Sequence, residues 1–414
     1  MKLYGLGAGI LLACAVTSRA APIDEPVTTD TTPASDIDAA SQQIEALLAQ
    51  SKEVTESSLS DASTKRRRED YDGQQKCSLK NLLIRTEWSA LSSKEKKSYI
   101  SAVRCLQSKP ARTPSTVAPG AKTRYDDFVA THIDQTLTIH YTGNFLTWHR
   151  FYTWVYERAL REECGYTGTQ PYWDWSRSAK SGLTAHPLFD GSATSMSGNG
   201  AHIDQTNGSI VLSGAGLPSL YLPVGNGGGC VSGPFKDYKV NLGPASLALS
   251  DGSTLAVENP KAYNPRCLKR DLTDAINQRY ANASSVVNLI LRNDDIASFQ
   301  LKMQGVPGTG EIGVHGGGHY SLGGDPGRDV FVSPGDPAFF FHHAMIDRTY
   351  WMWQLLSPKT RTHAIAGTNT FFNMPPSADT TLDDIIDLGY VTDDQPTIES
   401  LGSTIEGPFC YIYI

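Results

Sequence analysis

Seven of the ten histidines in this chain fall in two short windows, His132, His140 and His149 in the first and His315, His319, His342 and His343 in the second. If they act together, the whole stretch between the windows must fold as one domain, because no string of small independent units would bring its ends to one place.

The second window has the tighter spacing. His315 and His319 are four apart, which puts both rings on one face of a helix about a turn from each other, as a metal ion requires. Between them stand Gly316, Gly317 and Gly318, each less favourable in a helix than alanine by about 1 kcal/mol. Something besides propensity must hold this turn, and a bound metal is a candidate; without one the stretch reads as a glycine-rich loop with incidental histidines. His342 and His343 diverge by about 100° on a helix, so one of them is expected to ligate. Asp347 follows His343 by four on a helix predicted over 337–355, where its carboxylate either orients an imidazole or anchors a basic side chain.

In the first window His140 and His149 are nine apart, about two and a half turns, and would lie on opposite faces of an unbroken helix. A break near Gly143-Asn144 is therefore required, followed by an amphipathic helix over Trp148 to Leu160. His132 stands eight before His140 and reaches the same ion if the intervening chain folds back.

The rest of the chain sets the context. Its 414 residues are enough for a large core, and a formal net charge of −7 gives no footprint for nucleic acid or an anionic membrane, so neither is expected as a partner. Met1-Lys2, the apolar Gly5 to Val16 and Ser18-Arg19-Ala20 read as a signal peptide cut near Ala20, which makes the expected localisation secreted. Residues 21–68 read as a propeptide. They are rich in Thr, Ser, Asp and Ala, unable to fold alone, carry one weak helix over Ile37 to Leu48, and end in Lys65-Arg66-Arg67-Arg68, either a processing site or a solvated charged patch. Six cysteines remain after Cys14 leaves with the leader, an even number suited to an oxidising compartment, and Cys230 with Cys267 is the one pairing expected. Asn207-Gly208-Ser209 and Asn282-Ala283-Ser284 are candidate glycosylation triplets.

Leu79 to Leu106 predicts two packed helices around Ser92-Ser93, Gly191 to Pro265 long ordered loops with short strands, and Leu272 to Leu291 a long helix. His186, His202 and His363 read as structural or exposed. Trp173 and Trp175 read as core, and Asp174 as either scaffold or a partner of the site.

Taken together, His140 to Arg150, Pro171-Tyr172-Trp173-Asp174-Trp175, the His315/His319 pair and Asp336-Pro337 through Asp347-Arg348 resemble the type-3 dicopper family of tyrosinases, catechol oxidases and hemocyanins. Arg85 and Tyr411-Ile412-Tyr413 resemble the arginine and paired tyrosines that close that family's core, so the likeness runs from about residue 77 to 414. It implies that His132, His140 and His149 bind one copper and His315, His319 and His343 the other, with His342 beside the site. All-imidazole ligation with open positions suits a pair of coppers that take dioxygen between them, whereas zinc hydrolases usually add a carboxylate ligand.

The fold implied is mainly α, a four-helix bundle around the dicopper site with long loops and a few short strands, in a single catalytic domain over 69–414. The activity implied is oxidation of small phenolic substrates, o-diphenols above all, to o-quinones with reduction of O2 to water. A full tyrosinase, a tailoring oxidase for an o-aminophenol or other phenolic metabolite, and an oxygen carrier of the hemocyanin sort are the alternatives. In relatives that hydroxylate monophenols well, an Asn follows the first ligand of the second copper and shares a water with a nearby Glu. Here that position is Gly316, and Glu311 matches the Glu, which favours diphenol oxidation. Thr138 replaces the cysteine that forms a thioether in many relatives. The phenylalanine that covers the second copper in plant relatives corresponds either to Phe331 or to a position taken by Val330.

Overall fold

The computed structural model describes residues 34–60, 76–205, 208–214 and 217–414. The leader, the basic run at 65–68 and Asn207 lie outside the described residues. In chain order the helices are α1 (Ala34–Ser60), α2 (Ser93–Leu106), α3 (Arg124–Ile139), α4 (Phe145–Cys164), α5 (Trp175–Ser181), α6 (Asp274–Tyr280), α7 (Ala283–Leu291), α8 (Ile296–Gln304), α9 (Gly313–Leu322), α10 (Ala338–Leu355) and α11 (Pro358–Arg361). The strands are short and form two-stranded pairs, most of them in the 200–267 region, where long loops with short strands were expected. No described helix is long and apolar enough to cross a membrane.

The centre is a bundle of α3, α4, α9 and α10, with α4 packed on α10 and on α3, and α9 on α10. In α10 every residue from Ala338 to Gln354 is buried. A helix apolar on one stripe only would leave a polar face for water; this one is enclosed on all sides, as a helix at the core of a large domain must be.

Local chemistry sets the helix boundaries. Thr123 and Asp126 form a capping box that starts α3, and Ser92 with Glu95 does the same for α2. α3 stops at His140, whose backbone is extended, and Tyr141 turns the chain with φ 51°, so the break comes slightly earlier than Gly143-Asn144 and α4 starts at Phe145 rather than Trp148. Gly165, in the left-handed region at φ 67°, ends α4.

Three expectations about the helices are corrected. Only one α-helix forms over 79–106, preceded by a 3-10 turn at Trp88–Ala90, because Leu83–Arg85 is taken up as a strand in parallel register with Tyr411–Tyr413. The helix predicted over 272–291 is two helices, since Asn282 caps α7 by accepting from Ser285 N. Asn282 is buried and also donates to Gln278 O, which removes it as an accessible glycosylation site. The third concerns the segment ahead of the basic run, where the helix is longer than Ile37 to Leu48. α1 buries Ala40, Ile44, Leu47, Ser51, Thr55 and Leu59 along one side. It packs on α7, α10 and the C-terminal strand.

All six remaining cysteines pair, Cys230–Cys267 as expected, together with Cys105–Cys164 and Cys77–Cys410. The last ties the start of the catalytic region to the C-terminal strand.

Candidate metal centre

α3 carries His132 and, at its C-terminal end, His140; α4 carries His149 one turn in; α9 carries His315 and His319; α10 carries His342 and His343. The nitrogens offered by His132, His140 and His149 lie within 4.8 Å of one another, and so do those of His315, His319, His342 and His343. The two groups face each other. His149 and His343 stack with ring centroids 4.5 Å apart, and His140 and His315 are 5.6 Å apart.

Backbone carbonyls orient four of the rings. Nδ1 of His132 meets Phe331 O at 2.9 Å, that of His140 meets Thr136 O at 2.9 Å, that of His149 meets Phe145 O at 2.8 Å and that of His319 meets Gly327 O at 3.2 Å. A carbonyl only accepts, so each Nδ1 carries the proton and each Nε2 presents a lone pair. Nε2 of His132, His149 and His315 is buried with no hydrogen-bond partner, and Nε2 of His343 lies 3.3 Å from Nε2 of His319. A buried acceptor left unpaired costs about 1–3 kcal/mol. A set of them aimed at one another is the arrangement a bound cation relieves, and the donor set fits copper: all imidazole, three or more per group, no carboxylate.

Burial lowers the pKa of all seven imidazoles, to about 4 for His140 and about 3 for His319. In the metal-free protein these rings are neutral when folded but take up protons when unfolded below a pH of about 6.5. Their contribution to stability is therefore present above that pH and is lost as pH falls toward the folded values. The slope is about 1.4 kcal/mol per pH unit for each histidine. Urea midpoints of the metal-free protein are expected to drop steeply between pH about 6.5 and about 4; a flat profile there would show the rings are not held neutral.

His342 joins the second group, although adjacent helical positions point apart. A Cβ on Gly318 would sit 2.2 Å from the His342 ring, and one on Gly317 would sit 2.8 Å from Tyr280 Cβ. The glycines thus let α9 lie close against α10 and α6, a packing reason for the Gly-Gly-Gly run that needs no metal. His342 faces Trp175 and lies stacked on His315, whereas His343 faces the first group and stacks on His149.

Asp347 takes the second of its two expected roles. Its Oδ1 accepts from Arg150 Nε at 2.5 Å; its Oδ2 accepts from Tyr413 OH at 2.6 Å, Tyr411 OH at 2.7 Å and Arg85 Nη1 at 3.3 Å. Burial alone would raise its pKa, but Arg150 and Arg85 hold it below the ordinary carboxylate value. Asp174 caps α5 through Ser176 N and belongs to the scaffold.

Glu311 has a side chain 62% exposed that faces Arg279, and it makes no contact with the imidazoles. The Phe331 ring touches no histidine ring among the described residues; its carbonyl is what meets His132. Val330 is exposed. Gly316 is half-buried, and a Cβ there would meet Ile312 Cβ at 3.0 Å.

Two residues escaped the sequence reading. Phe145 lies 4.9 Å from the His149 ring and 5.0 Å from that of His315, and Phe339 stacks on His343 at 4.1 Å while lying 5.4 Å from His132. Each bridges the two groups. Each also precedes a ring of the site by four on the same helix, a spacing that was visible in the sequence.

Residues 122–356 match the family model described as the common central domain of tyrosinase. Tyrosinase P of Aspergillus terreus is 43% identical over 332 residues, 80% of this chain and 91% of that protein. The N-acetyl-6-hydroxytryptophan oxidase of Emericella nidulans is 40% identical over 356 residues, 82% of this chain and 94% of that protein. A solved structure of a polyphenol oxidase variant from Thermothelomyces thermophila superposes with a TM-score of 0.82 at 43% identity, covering 90% of this chain and 98% of its own. Two facing histidine groups on a helical bundle, in a chain with these relatives, make this protein an oxidoreductase of the type-3 copper tyrosinase family.

Proposed function

We propose that the protein is a secreted catechol oxidase that holds one copper on His132, His140 and His149 and a second on His315, His319 and His343, and converts o-diphenols to o-quinones. The observation that carries this reading is the set of buried, unpartnered Nε2 atoms in two facing groups. Two copper ions bound there supply the electron transfer between catechol and dioxygen, with two catechols oxidised and two waters formed per O2.

The chain's own part is to keep the imidazoles neutral by burial, to fix their tautomers through the carbonyls of Phe331, Thr136, Phe145 and Gly327, and to enclose them with Phe145 and Phe339. His343 is preferred to His342 as a ligand because its ring faces the other group. A leader over 1–20 and three disulfides support secretion.

Weak monophenol hydroxylation is supported by two positions, Gly316 and Glu311. Gly316 has no side chain, and Glu311 turns to Arg279 at the surface. The test is oxygen uptake by the copper-loaded protein on a catechol and its matching monophenol, for the wild type and Gly316→Asn. The wild type should use the catechol much faster. The variant should gain monophenol rate several-fold, short of the roughly 10²-fold that a complete general base contributes. Equal rates on both substrates in the wild type would overturn this assignment.

A second reading is a tailoring oxidase for one hydroxyindole or o-aminophenol, favoured by the 40% identity to the N-acetyl-6-hydroxytryptophan oxidase. It predicts two coppers per chain with negligible uptake on simple catechols and fast uptake on the larger substrate.

A further inference from the structure

We propose that α1 is a permanent part of the folded enzyme, a brace that stays docked along α7 and α10 even after the chain is cut at Lys65-Arg66-Arg67-Arg68. A helix ahead of a basic run would ordinarily be taken for a leader that is shed. Three observations oppose that.

First, α1 contributes to the central core. Ala40, Ile44 and Leu47 belong to the same continuous apolar cluster as Phe128, Trp148, Phe339 and Trp351. With Ser51, Thr55 and Leu59 they recur every three to four residues, which gives a single buried stripe, apolar at both ends, along one side of the helix. Releasing the segment would return that stripe and the apolar floor beneath it to water. The segment would also lose its own structure, because its polar composition leaves little reason to stay helical when undocked.

Second, α1 packs on α7, α10 and the strand Tyr411–Tyr413, and an ion pair of 2.7 Å joins Asp38 to Lys180 of α5. Tyr411 and Tyr413 are the tyrosines whose hydroxyls hold Asp347, one turn beyond His343. The brace therefore supports the strand that fixes the second histidine group from behind. Third, the polyphenol oxidase superposition covers 90% of this chain, a share larger than residues 69–414 make up, so it includes residues ahead of position 69.

The two views separate in one experiment on the full chain with residues 65–68 replaced by the recognition sequence of a site-specific protease. After cutting, denaturing electrophoresis should show two pieces, while native mass spectrometry and size exclusion show one particle containing both in equal amounts. Its melting temperature should match the uncut protein. The same cut made in an Ile44→Asp, Leu47→Asp protein should release the small piece. The remainder should melt at least about 5 °C lower and lose copper to a chelator faster, with no rise in oxygen uptake. Separation of the small piece from the cut wild type, with the melting temperature kept, would overturn the proposal. So would a rise in oxygen uptake once the piece has left.

Discussion

Replacing His149 by alanine is expected to leave a folded chain that retains one copper ion in place of two and oxidises catechol about 10³-fold more slowly or worse, since a bound metal supplies several kcal/mol of transition-state stabilisation. His149 is one of two rings of the first group that face the second, and the nearer of them. It stacks on His343 at 4.5 Å, packs on Phe145 at 4.9 Å, and is fixed by its Nδ1 contact with the Phe145 carbonyl. Its Nε2 has no partner in the protein, so removing the ring breaks only that one carbonyl contact while taking away a ligand. Loss of packing around a buried ring costs a few kcal/mol, which a chain with this much core and three disulfides should survive. Copper counted per chain, circular dichroism and oxygen uptake together decide it. Two coppers with undiminished uptake would remove His149 from the site.

The histidine pattern was readable because metal ligation imposes spacing. A pair at i and i+4 and a helix broken between His140 and Phe145 leave few ways to bring lone pairs together, and the folded groups contain every histidine that the pattern picked out. What depended on a second element was not readable. His342 joins the second group because Gly318 lets α10 approach α9, and nothing in the His342-His343 doublet reveals which helix will lie beside it. Glu311 has the right offset from His315, but the turn from Val306 to Glu311 directs it toward Arg279 on another helix. Asn282 looked like a glycosylation triplet because a cap and an acceptor site share the same residue types. α1 looked too polar to fold, and by itself it is; its apolar stripe is narrow and gains its stability from α7 and α10, which lie more than half the chain away in sequence.

Asp347→Asn is expected to destabilise the protein by about 3 kcal/mol, at the lower end of the usual range for breaking a buried ion pair, and to loosen copper at the second group about 10-fold. Arg85 and Arg150 have no exposed side-chain surface, and the carboxylate between them is the charge they share. Arg85 keeps Glu157 when Asp347 is neutralised, but Arg150 is left with carbonyls, the Gln354 amide and the Tyr350 ring, none of them an anion. The amide oxygen of the variant can still accept from Tyr411 and Tyr413, which is why the loss falls short of a full uncompensated charge. The effect on copper runs through α10. Asp347 pins that helix to α4 through Arg150 and to both terminal strands through Arg85 and the two tyrosines, and His343 sits one turn away on the same helix. Because the pair is sealed from water, the destabilisation should be the same in low and in about 1 M salt, whereas a surface pair would be screened. Urea midpoints at both ionic strengths measure this, and chelator release of copper reads the second group. A loss of stability that vanishes in high salt, or copper release unchanged from the wild type, would mean that Asp347 does not position His343.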